Sequence, residues 1–279
     1  GGFPDRSDEG YGVSKKGIDY AKEAGVKLII ILDCGIKAID EIAYAKSLGI
    51  DFIICDHHMP DDELPPAVAI LNPKRADDTY PFKHLCGCGV GFKFMQAFAK
   101  NNGIPFARLI PLLDLCAVSI AADIVPVTEE NRILAFHGLK TLNQNPSIGL
   151  KAIIDICGLG GRDISMSDIV FKIGPRINAS GRMESGRESV DLLVEKDFSH
   201  ALEKAKHIDC YNDKRKDIDK QMTEDANQIV SRLESQRHQS SIVLYDEHWK
   251  KGVIGIVASR LTEIYFRPTV VLTRDGDFA

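Results

Sequence analysis

The sequence predicts an α/β fold: a mainly parallel sheet flanked by helices, then a long connecting helix, then the start of a second α/β domain. Three observations carry this. Apolar runs that read as buried strands, at 26–32, 52–55 and 67–71, alternate with segments of helical periodicity. The first two runs end on polar clusters, Asp33-Cys34-Gly35 and Asp56-His57-His58, at the strand ends where open parallel sheets bind ligands. Between 199 and about 234, apolar residues recur at three- and four-residue spacing in a stretch almost without glycine.

Length and composition agree. At 279 residues, with 44% hydrophobic and 27% charged residues, the chain reads as a globular protein of two domains. The expected division is 1–185 for the first domain, 186–238 for the connecting helix and 239–279 for the start of the second. No apolar run approaches the roughly 20 residues of a membrane span, and no signal peptide is recognisable. The chain opens Gly1-Gly2-Phe3 and stops at Phe278-Ala279, just after a strand-like run, so it reads as a fragment. Seven cysteines sit mostly in apolar runs and form no C-x-x-C, which points to reduced thiols in a cytoplasmic protein. A net charge of −5 provides no global attraction for nucleic acid, so any such contact needs a local basic patch.

In chain order, Ser14 has the character of an N-cap for a helix that runs to Ala24 and is ended by Gly25. Strand 26–32 follows, then a helix over about 37–47 with apolar Ile39, Ile42, Ala43 and Leu48, ended by Gly49. Strand 52–55, a loop rich in Asp and Pro, and strand 67–71 complete a βαβ pattern with right-handed crossovers. The turn Asn72-Pro73-Lys74-Arg75 adds two cations. Gly87, Gly89 and Gly91 open a helix through Lys100. They follow a loop and not a strand, so close helix packing explains them better than a dinucleotide fingerprint. Residues 108–122 are almost wholly apolar and predict one buried helix, which carries Asp114 and ends at Asp123. Helices are expected over 130–142 and 148–157.

Two neighbouring strands that deliver carboxylate and imidazole to one edge suit a hydrolytic metal centre. The candidates are Asp33, Asp56, His57 and His58, with Asp123 as a further ligand, because an acid at the mouth of a buried element is costly unless paired or metal-bound. The competing reading makes the acids helix caps and the histidines a surface turn. A second informative stretch, Ile173 to Met183, holds two arginines, an amide, a hydroxyl and two glycines. Arginine forks bind phosphate oxygens bidentately, so Arg176, Asn178 and Arg182 are phosphate-binding candidates. The alternative is a loop whose arginines pair with Asp168, Glu184 or Asp191. The lysines and arginines between 204 and 216 read as a solvated helix face. Strands are expected at 241–245 and 269–272. Between them a glycine-punctuated helix start after Trp249 could hold an anion, with Ser259 and Arg260 among its residues.

Taken together, Asp-Cys-Gly after a strand, Asp-His-His after the next, Ala-Asp-Ile-Val-Pro after a buried helix, Pro-Arg-Ile-Asn-Ala-Ser-Gly-Arg-Met and Gly-Val-Ile-Gly-Ile-Val-Ala-Ser-Arg resemble the DHH phosphoesterases. The resemblance is to their branch of single-strand-specific DNA exonucleases working 5′ to 3′, and it spans essentially the whole sequence. It implies a DHH domain, a long connecting helix and a DHH-associated domain, with single-stranded DNA in the cleft between them. It further implies that Asp33 lies between two Mn2+ or Mg2+ ions, that His57 and Asp123 are ligands, that His58 stands near the scissile phosphate and that Asp56 orients an imidazole. Single-stranded DNA, a single-strand-binding protein and a helicase are the implied partners of a monomer active in DNA repair and recombination. Three departures stand against the pattern. The family's first Asp-x-Asp motif is not in this sequence, so the fragment by itself is expected to be inactive. Lys250 follows Trp249 where relatives have His, and the end of the second domain is not reached. Two other readings remain: a DHH phosphoesterase acting on short oligonucleotides or cyclic dinucleotides, and a non-catalytic DNA-binding descendant of the fold. The presence of Asp33, His57, His58 and Asp123 argues against such decay.

Overall fold

A computed structural model describes residues 12–183, 186–236, 240–274 and 276. The opening polar segment before Gly12 lies outside the described residues. Helix α1 (Lys15–Glu23) starts where Ser14 accepts a hydrogen bond from Gly17 N–H at 3.1 Å. Its C-terminal turn takes in Val26, whose N–H donates to Ala21, so strand β1 (Leu28–Leu32) begins later than the apolar run. Helix α2 (Ile39–Ser47) leads to β2 (Asp51–Cys55) and β3 (Ala69–Leu71). The three strands form a parallel sheet in the order β1-β2-β3, with Leu32 opposite Cys55 and Cys55 opposite Leu71. That register brings the residues after β1 and β2 to the same edge.

Helix α3 (Gly87–Asn101) follows, then two short 3-10 turns and α4 (Leu113–Ala122). The single buried helix expected from Arg108 is therefore broken. Pro111 lacks an N–H and lies in the second turn, so the α-ladder starts only after it. The buried Asp114 is not a ligand candidate in this structure. It accepts from Leu115 N–H at 2.6 Å and from Ser147 N–H at 2.7 Å, tying α4 to the start of α6 (Ile148–Ile156). Between them runs α5 (Glu129–Gln144). A Cβ on Gly138 of α5 would lie 2.7 Å from Ala117 Cβ of α4, so this glycine is where the two helices touch.

A short α7 (Met166–Asp168) and a π-helical turn precede α8 (Gly174–Met183). The arginine stretch is thus helical and not the loop of the alternative reading. Pro175 sits in the first turn of α8, after the π turn has already interrupted the i−4 ladder, and costs little there. Then come α9 (Arg187–Leu193), α10 (Phe198–Gln236), β4 (Ile242–Tyr245), α11 (Lys251–Tyr265) and β5 (Thr269–Leu272). Strands β4 and β5 pair in parallel. Contacts divide the chain into two compact units, one made of residues up to Pro175 with Val190–Ala205, the other of Arg176–Ser189 with the chain from Lys206.

In the first unit both faces of the sheet are packed. Phe52 and Ile54 join α1 and α2 on one face, while Ile53 and Cys55 meet α3 and α4 on the other. Strand β1 is only partly covered, and Leu28, Ile30 and Leu32 remain about half exposed. In the second unit Met222, Ala226 and Val230 of α10 are buried against β4, β5 and α11, with Ile218, Ile229 and Leu233 partly covered alongside. This is the stripe the periodicity predicts. All seven cysteines are free thiols, and among the described residues no helix is long and apolar enough to cross a membrane.

Asp168 shows what a local cluster can do for stability. Arg162 first, then the Ser165 amide and hydroxyl and Lys172, hold its carboxyl well below the usual value of 3.8. A depressed carboxylate adds stability that is complete above the unfolded-chain pKa and is lost as pH falls towards the folded one. Asp168→Asn is therefore expected to be less stable than the parent at pH 7, with the gap closing below pH 3.8. Denaturant unfolding across that range measures it, and a gap independent of pH would contradict the assignment.

Candidate metal centre

Each side chain of the centre is delivered by the end of a regular element. Asp33 follows β1 and still donates its N–H to Cys55 O at 2.8 Å, but its backbone is left-handed, with φ at 64°. Asp56, His57 and His58 follow β2, and the Asp56 N–H donates to Leu71 O of β3. Asp123 is the C-cap residue of α4. Residues far apart in sequence thus close on one point: His57 Nε2 lies 3.1 Å from Asp33 Oδ1 and 3.3 Å from Asp123 Oδ2. Asp33, His57 and His58 each offer a ligand atom within 4.8 Å of the others'.

Asp56 is the hub that shapes the turn. It is 1% exposed, and its Oδ2 accepts from Ile36 N–H at 3.0 Å. Its Oδ1 accepts from His57 N–H at 2.7 Å and His58 N–H at 3.1 Å, and lies 2.7 Å from His58 Nδ1. Burial alone would raise the Asp56 pKa. The His58 ring and the three amides outweigh it and hold the carboxyl below its usual range. The imidazole that Asp56 orients is therefore that of His58. A carboxylate on Nδ1 places the proton there and leaves His58 Nε2 as the nitrogen turned to other uses.

Two groups that sequence reasoning did not assign to the site complete the turn. The buried Asn72 donates to His58 O at 2.8 Å and accepts from Lys74 N–H at 2.9 Å, so β3 pins the histidine segment. The Ile36 amide fixes Asp56 from the β1 side. A polar residue just after the third strand is the only signal of Asn72. Nothing in the sequence marks a backbone N–H.

The donor set can be tested for metal. Among buried side-chain atoms, Asp33 Oδ1 and both ring nitrogens of His57 make no aligned hydrogen bond. Buried polar atoms are rarely left so. The Asp33 carboxylate raises the His57 pKa, burial opposes this, and Asp123 adds to the rise. Carboxylates and an imidazole aimed at one another across about 3 Å fit a divalent cation with mixed oxygen and nitrogen ligands.

The candidates in the second unit are arranged differently. Arg176 Nε donates to Asp209 Oδ1 at 2.7 Å, and Arg182 donates to Gly252 O at 3.3 Å. Arg260 pairs with the buried Asp219 at 2.8 Å, and the Ser259 hydroxyl donates to Gly255 O at 3.1 Å. Of the carboxylates weighed as arginine partners, Asp168 belongs to Arg162 and Lys172. Glu184 lies outside the described residues. Asn178 occupies the middle of α8.

A strand-end carboxylate, a following Asp-His-His and an acid after a buried helix define a class. Residues 3–120 match the model of the DHH family, N-terminal domain, and the chain belongs to the DHH family. Within it, the sequence is 40% identical over 275 residues to the single-stranded-DNA-specific exonuclease RecJ of Bacillus subtilis, covering 99% of this chain and 34% of that protein. The fold matches a crystal structure of exonuclease RecJ bound to manganese with a TM-score of 0.83 and 30% identity, over 97% of this chain and 66% of the other. It matches RecJ from Thermus thermophilus in complex with Mn2+ with a TM-score of 0.80 and 28% identity, over 93% and 38%. The chain spans between about a third and a half of the length of the curated relatives it matches.

Proposed function

We propose that this chain carries the hydrolytic centre of a metal-dependent, single-strand-specific DNA exonuclease working 5′ to 3′. The observation that carries the reading is the convergence of Asp33 and Asp123 on His57 at 3.1 and 3.3 Å, with buried donor atoms left without hydrogen-bond partners. The names of the RecJ relatives and the manganese in their structures support it. Asp33, His57 and Asp123 would hold Mn2+ or Mg2+. When bound, such ions neutralise phosphoryl charge and activate water. The family resemblance supports a two-ion arrangement in which Asp33 would serve both. His58, held by Asp56 through Nδ1, would donate a hydrogen bond or proton from Nε2 to the phosphate or leaving oxygen. The cytoplasmic location rests on the cysteine pattern, and the monomeric state, the single-strand-binding and helicase partners and the role in repair rest on the family resemblance.

The test compares, in the full-length polypeptide with Mn2+, the release of nucleotides from single-stranded and duplex DNA labelled at either end, alongside dinucleotides and cyclic dinucleotides. Processive loss from the 5′ end of the single strand is expected. Preference for the short substrates would transfer the reading to a different DHH phosphoesterase, and no hydrolysis of any of them would leave a binding protein.

Arg176, Asn178, Arg182, Ser259 and Arg260 are proposed as contacts to backbone phosphate, in exchange for the intramolecular partners described above. Replacing Arg176 or Arg182 by Ala is expected to weaken single-strand binding and to reduce the slope of log K against log salt by about 0.7 per lost contact. Parent-like affinity and slope in both variants would make α8 a structural helix only.

A further inference from the structure

We propose that Gly87 is a positioning residue of the metal centre, because α3 begins directly against the Asp33 side chain and only a residue without a side chain leaves that carboxylate aimed at His57. The proposal rests on the metal reading above. A Cβ at Gly87 would lie 2.5 Å from the Asp33 Cβ, and closer still to Cγ and Oδ1. Oδ1 is the oxygen 3.1 Å from His57 Nε2. Real Cβ atoms essentially never approach within 3.0 Å, so any side chain here must push Asp33 aside. Asp33 has little freedom to yield: its N–H is held by Cys55 O and its backbone is already left-handed.

The usual reasons for glycine do not apply at this position. Gly87 is not among the glycines with positive φ, so no turn demands it. It is the first residue of α3, where glycine favours helix less than alanine does. What remains is the close approach. Two residues on, Cys86 Sγ takes up the Gly89 N–H, so the cap of the helix is supplied independently of Gly87. Gly91 on the same helix provides a control. A Cβ there would meet only the tip of Leu32 at 3.1 Å, the end of a flexible side chain.

The experiment measures Mn2+ binding and thermal unfolding of the full-length polypeptide. Gly87→Ala is expected to weaken Mn2+ binding by about 10–100-fold, the usual effect of disturbing the support of a ligand, while Gly91→Ala binds as the parent does. The unfolding cycle needs no metal. Gly87→Ala should lower the melting temperature when Asp33 is present and cost nothing in an Asp33→Gly background, where the obstructing atoms are gone. If Gly87→Ala alone fails to fold, the double variant should fold. Parent-like Mn2+ binding by a folded Gly87→Ala chain overturns the proposal, as does a melting penalty that persists in the Asp33→Gly background. A parent that binds no Mn2+ would overturn the metal reading instead, and the unfolding cycle would still decide whether Gly87 is fitted to Asp33.

Discussion

Asp33→Asn in the full-length polypeptide is expected to reduce Mn2+-dependent cleavage of single-stranded DNA by about a thousandfold or more, with strand binding largely kept. The substitution is close to isosteric, and asparagine tolerates the left-handed backbone at φ 64°, so the fold should not suffer. What changes is charge. The oxygen 3.1 Å from His57 loses its formal negative charge, and a lost carboxylate ligand costs several kcal/mol of transition-state stabilisation at about 1.4 kcal/mol per decade. Calorimetric titration with Mn2+ should show weaker binding in parallel. A variant that cuts at the parent's rate would remove Asp33 from the mechanism and, with it, the two-ion proposal.

Asp56→Ala should have the largest effect on stability, about 3–5 kcal/mol, because it strands several partners at once. Ile36, His57 and His58 would each lose the acceptor for a backbone N–H, and the His58 ring would lose its orienting carboxylate. Asp56→Asn keeps an acceptor and should cost less. Urea unfolding of both variants gives the comparison. If alanine proved no more harmful than asparagine, the hub role of Asp56 would be wrong, and the turn would be held by Asn72 alone.

Much of this centre is legible in the pattern of apolar and polar residues along the chain. A parallel sheet gathers the residues that follow its strands, and the apolar runs ahead of Asp33 and Asp56 locate two such strands. Asp123 is visible as an acid closing an apolar helix. The helix of α10 is visible as a stripe. What stays hidden depends on pairings with no local trace. That Asp56 also serves the Ile36 amide follows from a contact 20 residues away in sequence. The partners of Arg176 and Arg260 lie 33 and 41 residues away, among the acids of α10. Helix α8 is hidden for another reason. Its glycines, proline, serine and asparagine have poor intrinsic helix preference, and packing overrides such preferences. The break at Pro111 is legible in principle, but the apolar run around it hides the consequence.

The left-handed backbone at Asp33 also bears on how such a centre lasts through descent. Glycine would relieve the strain there and asparagine would tolerate it, so folding exerts no pressure to keep the carboxylate. Selection for the reaction alone must hold it against substitutions that leave the chain as stable or more so. Copies of the gene released from that selection would shed Asp33 early while still folding. Asp56, buried and bonded on every side, would be retained long after. A descendant with glycine or asparagine at 33 and aspartate at 56 should therefore be read as a folded protein that has given up the chemistry.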